Sequence, residues 1–442
     1  MDKKKPVKYI DLFAGLGGTR IGLESALKKA GLNGVCVFTS EIKPHAIAAY
    51  KKNFHDEDVQ GDITKIKTSD ILDFDILLGG FPCQPFSSAG SRRGFKDTRG
   101  TLFFEIERIL KEKKPAGFLL ENVEGLKTHD RVDPKKPIGR TLETILFKLE
   151  NLGYKVTWKV LDASLYGVPQ KRKRIYIIGT KKKKISLDDL PTKVSKLADV
   201  LSDTVDEKRY LNNDFTKKLL SHYKLEELKG KQIKDKRGGD QNIHSWNFEL
   251  KGKVTQKQKK LLEELLKQRR RKSWAHHKGI EWSDGMPLTL DEIKSFHRMS
   301  GGLSDSRKDD KKYTAELKSM LEDLVSKGYL KKEKPKKTNG SKQEEGYNII
   351  AGKLSFEISH ILDPEKATPT LVATDVTRLA VVDKRGLRRL EVEEGLKLFG
   401  FSADYKLKDI VSYNDAFDLL GNSVSVGVVE LVSSRLLKAI RP

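Results

Sequence analysis

The sequence predicts an α/β protein: a doubly wound sheet domain accompanied by a second, smaller domain. Three observations carry this expectation. Residues 7–180 alternate apolar strand segments with helical stretches, the unusual residues of that region fall where the strands end, and after Thr180 the alternation stops and the chain turns basic. Alternating strands and helices build a parallel sheet covered on both faces, and ligands of such sheets collect at the carboxyl ends of the strands.

The strand candidates are Val7–Phe13, Val35–Ser40, Asp75–Gly79, Gly117–Glu121 and Arg174–Gly179, separated by helical stretches at Gly18–Ala30, Pro44–Asn53, Leu102–Glu112 and Arg140–Leu152. The first strand runs into Asp11-Leu12-Phe13-Ala14-Gly15-Leu16-Gly17-Gly18 and then a helix. Glycines at a strand-to-helix turn let backbone approach a ligand closely, and the following helix presents unpaired N–H groups. The second strand ends at Glu41, where a carboxylate can take both hydroxyls of a ribose, and Gly61-Asp62-Ile63 supplies a further acid at the next strand end. The order Gly-x-Gly-Gly, without a third spaced glycine, favours S-adenosylmethionine over NAD.

The next strand leads into Gly79-Gly80-Phe81-Pro82-Cys83-Gln84-Pro85-Phe86-Ser87. Prolines on both sides of Cys83 forbid a helix and a ladder, which exposes its thiol on a stiff turn. Cys36, inside Val35-Cys36-Val37-Phe38, instead fits the usual buried cysteine. Glu121-Asn122-Val123 puts a carboxylate at the same sheet edge as Cys83, a pairing suited to a nucleophile and a proton partner. Arg172 and Arg174, at alternate positions of one strand, are expected to point the same way.

Composition bounds the rest. The 442 residues carry 86 Lys plus Arg against 62 Asp plus Glu, a net +24, which favours an anionic partner, nucleic acid first. A hydrophobic fraction of 37% argues against wholesale disorder. No apolar run approaches the roughly 18 residues of a membrane span, and Met1-Asp2-Lys3-Lys4-Lys5-Pro6 leads straight into a strand rather than a signal peptide, so a soluble chain with no membrane partner is expected. Two cysteines exclude a disulfide scaffold and a Cys-rich zinc module; no metal is expected.

The excess charge is concentrated. Residues 181–360 hold 42 basic and 28 acidic side chains, and 251–280 alone hold 11 against 2. Thr255–Arg269 is amphipathic at helical spacing, with Leu261, Leu262, Leu265 and Leu266 on one side. Leu288–Phe296, Tyr313–Gly328, Tyr329–Lys332 and Tyr347–Leu354 read as helix, helix, strand, strand around a tip at Glu333–Glu345, an order like the back half of a winged helix and equally that of a solvated helical insertion with a loose loop. Lys257, Arg269 and Arg270 are candidates for contact with a nucleic-acid backbone. Lys406–Val411 is short and polar, and Asp415–Ile440 ends in an apolar helix.

Taken in order, Asp11–Gly18, Glu41, Asp62, Pro82-Cys83-Gln84, Glu121-Asn122-Val123, Gln170-Lys171-Arg172-Lys173-Arg174 and Gly421-Asn422-Ser423 resemble the motifs of the DNA (cytosine-5) methyltransferases of bacterial restriction-modification type. The resemblance covers roughly residues 8–180 and 368–442. Arg388-Arg389-Leu390-Glu391 departs from the commoner Thr-Pro-Arg-Glu of that family. The resemblance implies an S-adenosylmethionine-dependent methyltransferase (Rossmann-like) domain over 1–180, a target-recognition domain over 181–407, and a segment 408–442 that returns to the catalytic domain. It implies an enzyme that methylates carbon-5 of a flipped-out cytosine in a specific double-stranded DNA sequence through a covalent Cys83 adduct, with Glu121, Arg172 and Arg174 assisting. S-adenosyl-L-homocysteine would be the product. Cofactor contacts would come from Phe13, Ala14, Gly15, Leu16, Gly17, Gly18, Glu41, Ile42, Asp62, Ile63, Pro82, Leu102, Asn422 and Ser423. Ser87–Gly100 resembles the family's lid, so Ser87, Arg92, Arg93 and Arg99 would meet DNA, as would Thr370, in a Thr-Leu landmark, and Arg378. A cognate restriction endonuclease, a monomeric state and a bacterial cytoplasmic, nucleoid-associated location complete the expectation. A tRNA cytosine methyltransferase is disfavoured because those enzymes lack a long basic insert; a catalytically idle DNA-binding regulator is disfavoured because Cys83, Glu121 and the cofactor set are all present.

Overall fold

The computed structural model describes residues 5–55, 58–81, 102–280, 285–300, 307–335, 344–351, 356–372 and 376–441. The chain forms two compact units: 1–206 with 363–377 and 390–442, and 207–362 with 378–389.

The first unit is built on a sheet of seven strands. In chain order its elements are β1 (Val7–Leu12), α1 (Gly18–Lys29), β2 (Gly34–Ser40), α2 (Pro44–Phe54), β3 (Val59–Gln60), β4 (Ile76–Gly80), α3 (Leu102–Lys113), β5 (Gly117–Val123), α4 (Arg140–Asn151), β6 (Lys155–Asp162) and β7 (Lys173–Thr180). The strand order is β3-β2-β1-β4-β5-β7-β6, parallel from β3 to β5 and antiparallel at β5·β7 and β7·β6. Successive residues of a strand face opposite sides. Tyr9, Ile76, Leu78, Leu119 and Ile178 accordingly form one core with α1, while Ile10, Leu77, Leu120, Ile175 and Ile177 form the other with α3 and α4.

The second unit holds α5 (Asp214–His222), α6 (Leu225–Leu228), β8 (Gln232–Ile233), β9 (Asn242–Ile243), α7 (Gln256–Gln268), α8 (Lys272–His277), α9 (Leu290–Ser300), α10 (Arg307–Ser326), β10 (Leu330–Glu333), β11 (Gly346–Ile349), β12 (His360–Leu362), β13 (Leu379–Asp383) and β14 (Gly386–Arg388). It has two cores. One lies around the sheet β14-β13-β12-β8-β9; the other joins α7, α9 and α10 to the antiparallel pair β10·β11.

Within the first unit the chain ends in α11 (Val392–Lys397), α12 (Tyr413–Gly421) and α13 (Val426–Ile440). The apolar helix expected at the end of 415–440 is α13, separated by residues 422–425 from α12 before it. An 18-residue window of this apolar stretch is 72% buried, and Val428, Val432 and Leu436 share the core of α1, so the stretch is a core element of the domain.

The domain boundaries expected at 180/181 and 407/408 are displaced. Ile185, Leu187 and Leu190 belong to the sheet core, and the Thr157 hydroxyl donates to the Ile185 carbonyl at 2.6 Å, which ties 181–206 to the first unit. Thr368 exchanges backbone bonds with Pro169 and Lys171, both at 2.8 Å, just before β7, and Glu394 and Glu391 accept from the Ser202 and Asp206 amides at 2.8 Å, fixing the start of 390–407 there as well.

Candidate active site

The turn after β1 is held in a shape few residues tolerate. Phe13, Gly15 and Gly17 all have positive φ, at 57°, 54° and 72°. The two glycines serve different ends. A Cβ on Gly17 would lie 2.3 Å from the Phe54 ring, and one on Gly18 2.8 Å from Val424, so these positions are close-packed. A Cβ on Gly15 would meet nothing within 4 Å, so backbone there faces open space. Ala14, Leu16, Gly17 and Gly18 are buried in the body of the turn, whereas Phe13 and Gly15 stay accessible.

Glu41, at the end of β2, locks this turn. Its Oε2 accepts from the Gly15 amide at 2.8 Å, and Oε1 accepts from the Ile42 and Lys43 amides at 2.8 and 2.9 Å. Beside it Ile42 is 68% exposed, a large apolar side chain in solvent. Asp62 caps the turn at Ile63–Lys65, accepting from the Thr64 amide and hydroxyl, and those bonds hold its carboxyl below the ordinary value. Ile63 is buried and Leu102, the first residue of α3, is half-buried. The C-terminal segment closes the turn from below: the Tyr405 hydroxyl donates to the Leu16 carbonyl at 2.8 Å, and Ser423 and Val424 pack on Gly18. Asn422 is exposed, its side-chain amide donating to the Asp418 carbonyl at 2.8 Å.

Asp11 belongs to the first motif without being one of the expected site residues, yet it organises the underside of the site. It is fully buried, accepts from the Thr19 hydroxyl at 2.8 Å, and burial pushes its pKa up to about 7 against that bond. Nearby, Arg20 donates to the Tyr50 hydroxyl at 3.1 Å and lies over the Phe54 ring at 4.2 Å, bracing the ring that fills the space beside Gly17. An acid inside the last positions of an apolar strand was the available signal. Cys36 keeps its thiol: burial pushes its pKa up to about 11.

The second cluster lies where β4 and β5 end. Glu121 pairs in register with Gly80 on one side and Tyr176 on the other, so Arg174, two residues from Tyr176, shares its face of the sheet. Arg174 Nε stands 3.1 Å from Glu121 Oε1. The approach is off the hydrogen-bond direction, and that buried oxygen has no hydrogen-bond donor among the described residues. Glu121 is 8% exposed, and burial raises its pKa, opposed first by Arg174 and then by Arg172. Asn122 donates to the Phe81 carbonyl at 3.1 Å and so anchors the chain two residues before Cys83. Pro82, Cys83, Ser87, Arg92, Arg93 and Arg99 lie outside the described residues.

Arg172 departs from expectation. β7 begins at Lys173, and Arg172, 2% exposed, turns into the protein to donate to the carbonyls of Leu371 at 3.1 Å and Gly421 at 3.0 Å and to that of Ser423, with the Phe399 ring 4.9 Å away. It is a clasp joining three segments and does not reach outward beside Arg174. Thr370 is bound into the same clasp, its hydroxyl donating to the Lys171 carbonyl at 2.5 Å. Among the candidates for DNA contact, Arg269 is only 5% exposed, packed against Gly285, so it presents no surface charge; burial of the Leu face of α7 carries it inward. Lys257 is exposed and paired with Glu316 at 2.7 Å, while Arg270 and Arg378 are half-buried.

Residues 7–438 match the family model described as C-5 cytosine-specific DNA methylase. The chain is 51% identical over 440 residues to Type II methyltransferase M.NlaIV of Neisseria lactamica, covering 98% of this chain and 99% of that protein. It is 39% identical over 455 residues to Type II methyltransferase M.BanI of Aneurinibacillus aneurinilyticus, covering 98% and 96%. The crystal structure of S. pombe Dnmt2 methyltransferase superimposes with a TM-score of 0.55 at 17% identity over 99% of this chain and 100% of that one, a likeness of fold.

Proposed function

The chain belongs to the C-5 cytosine-specific DNA methylase family and is a DNA (cytosine-5-)-methyltransferase; from that premise we propose that it methylates a flipped-out cytosine within a specific duplex sequence, with Cys83 as nucleophile and S-adenosylmethionine as methyl donor. The observation that carries the proposal is the buried Glu121–Arg174 pair at a sheet edge shared with the strand that leads to Cys83.

The turn residues fit the donor. Gly15 faces open space, Glu41 keeps unused lone pairs on a carboxylate already fixed by three amides, and exposed Ile42 offers an apolar face for a purine. Phe13, Gly15, Glu41, Ile42 and Asp62 would hold it, with Ser423 supporting the turn from beneath. When bound, it supplies an electrophilic methyl group on a sulfonium.

A cytosine inside a duplex hides carbon-6 from any thiol, so the base must leave the stack. The Cys83 thiolate adds to carbon-6, which turns the ring into an enamine whose carbon-5 is nucleophilic. Negative charge on the ring is met at N3 by Glu121, which burial biases toward its protonated form. Arg174 orients that carboxyl and can take the O2 oxygen of the base. Once carbon-5 carries the methyl group, its proton passes to water, the carbon-5–carbon-6 double bond re-forms, the Cys83 thiolate leaves carbon-6, and N3 returns its proton to Glu121. Arg172 serves at one remove, holding Leu371, Gly421 and Ser423 in place.

The second unit would recognise the duplex, as its charge favours. A bacterial cytoplasmic, nucleoid-associated site of action, a cognate restriction endonuclease and a monomeric enzyme complete the proposal. The test is transfer of labelled methyl from S-adenosylmethionine to unmethylated duplex DNA and, in parallel, to tRNA, followed by sequencing that maps the modified cytosines. Methylation at one recurring duplex sequence is expected; transfer to tRNA alone would overturn the substrate, and transfer to a different base atom the chemistry.

A further inference from the structure

Within the second unit, α7, the short α8, the extended segment at Leu288, α9, α10, β10 and β11 follow in the order helix, short helix, bridge, helix, helix, strand, strand, so that α10 is the third long helix. Leu288 and Tyr347 exchange both backbone hydrogen bonds, at 3.0 and 2.8 Å, which adds Leu288 to the β10·β11 pair as a single antiparallel bridge at the position of a third strand. Leu265 of α7, Ile293 of α9, Leu317 and Leu321 of α10 and Ile349 of β11 are buried together in one core. The topology is that of a winged helix, a three-helix variant of the helix-turn-helix in which the third helix is the one presented to DNA.

The third helix, α10, has an outer face suited to a groove. With Leu317, Leu321 and Leu324 inward, the opposite side carries Lys311, Lys312, Ala315, Lys318 and Ser319, all exposed. Ala315 and Ser319 lie one turn apart at the middle of that face, with the lysines around them. Short central side chains let the helix axis come close to base edges, and the rim of ammonium groups reaches phosphates. Carboxylates nearby are already engaged: Glu316 with Lys257, Glu322 with Lys332 and Asp310 with Lys294, at 2.7, 2.7 and 2.6 Å. Lys311, Lys312 and Lys318 form no ion pair with a described residue. An α-helix about 10–12 Å across fits a major groove about 12 Å wide.

We propose that this winged-helix module reads the target duplex, α10 lying in the major groove with Ala315 and Ser319 against base edges and Lys311, Lys312 and Lys318 on the flanking phosphates. The proposal rests on the duplex substrate proposed above and adds the element that reads it. α7, the helix expected from sequence to follow the backbone, is less suited, since Arg269 is buried and Lys257 is bound to Glu316.

Two variants of the full chain test it, each first compared with wild type by thermal unfolding, since both alter only exposed positions. In the first, Lys311, Lys312 and Lys318 become Ala. Affinity for a duplex bearing the methylated sequence and for a scrambled duplex should fall alike, and the slope of log affinity against log salt should flatten by about 2.7, at about 0.9 for each phosphate no longer neutralised. In the second, Ala315→Glu should weaken the methylated-sequence duplex on the order of tenfold more than the scrambled one and alter which sites are methylated in a randomised duplex library. Wild-type salt slope in the first, or wild-type site choice in the second, overturns the groove assignment. A wild-type enzyme that transfers no methyl to duplex DNA would overturn the substrate reading instead; active wild type with unaffected variants would overturn α10 alone.

Discussion

Gly15 and Gly17 share a left-handed backbone two residues apart, but their surroundings predict opposite consequences for the same methyl group. Alanine at either site costs about 1–2 kcal/mol because L-residues strain at positive φ. At Gly17 the new Cβ would also sit 2.3 Å from Phe54 and 3.0 Å from Tyr50. Overpacking adds about 1–3 kcal/mol, giving a loss of about 2–5 kcal/mol in stability. At Gly15 no neighbour is met, so stability should fall only by the strain term, and the methyl should instead occupy the space through which the cofactor approaches. Urea unfolding followed by circular dichroism measures the first effect, and equilibrium dialysis with labelled S-adenosylmethionine the second. Gly17→Ala should lose stability, whereas Gly15→Ala should fold nearly as wild type and bind the cofactor about tenfold or more weakly. Wild-type cofactor affinity in a folded Gly15→Ala protein would refute the assignment of this turn.

Glu121→Gln should lower turnover strongly with little change in DNA affinity, because the amide can hydrogen-bond N3 but cannot give it a proton; single-turnover methylation with parallel binding measurements checks this. In wild type the rate should decline as pH rises through the raised pKa of Glu121, since its protonated form is then lost. Asp11→Asn tests the buried acid beneath the turn. With a folded pKa of about 7 against an ordinary 3.8, the native protein holds a proton that the unfolded chain has released, so wild-type stability should fall relative to Asn by about 1.4 kcal/mol per pH unit between pH 4 and 7 and level off above. Urea titrations across that range check the slope; parallel curves would place the proton elsewhere.

What the sequence made legible is whatever is local. The glycine turn, Glu41 and the Glu121 strand end were readable because strand, turn and special residue are contiguous, and the proposed site falls at the sheet edge where a doubly wound fold puts ligands. β6 was not marked: it is an antiparallel edge strand with no motif at its end. The last apolar helix was legible from its spacing within 415–440, and it begins at Val426 with Ser425 as its N-cap. Leu288 was assigned to α9, yet Thr289 and Glu292 bond reciprocally to start that helix, leaving Leu288 free to pair with Tyr347. Arg172 could not be placed because its partners lie 199 to 251 residues away along the chain. Domain boundaries failed for the same reason: charge changes at residue 181, but Ile185 and Leu187 still feed the sheet core.

The most direct test of the central claim is trapping. A duplex carrying 5-fluorocytosine at the mapped target, incubated with the enzyme and S-adenosylmethionine, cannot complete the reaction because fluorine does not leave carbon-5 as a proton does. A covalent protein–DNA complex should form, peptide mapping should locate the bond at Cys83, and Cys83→Ser should form none while still binding the cofactor. An enzyme that methylates the ordinary site yet yields no adduct, or yields one at another residue, would contradict the account.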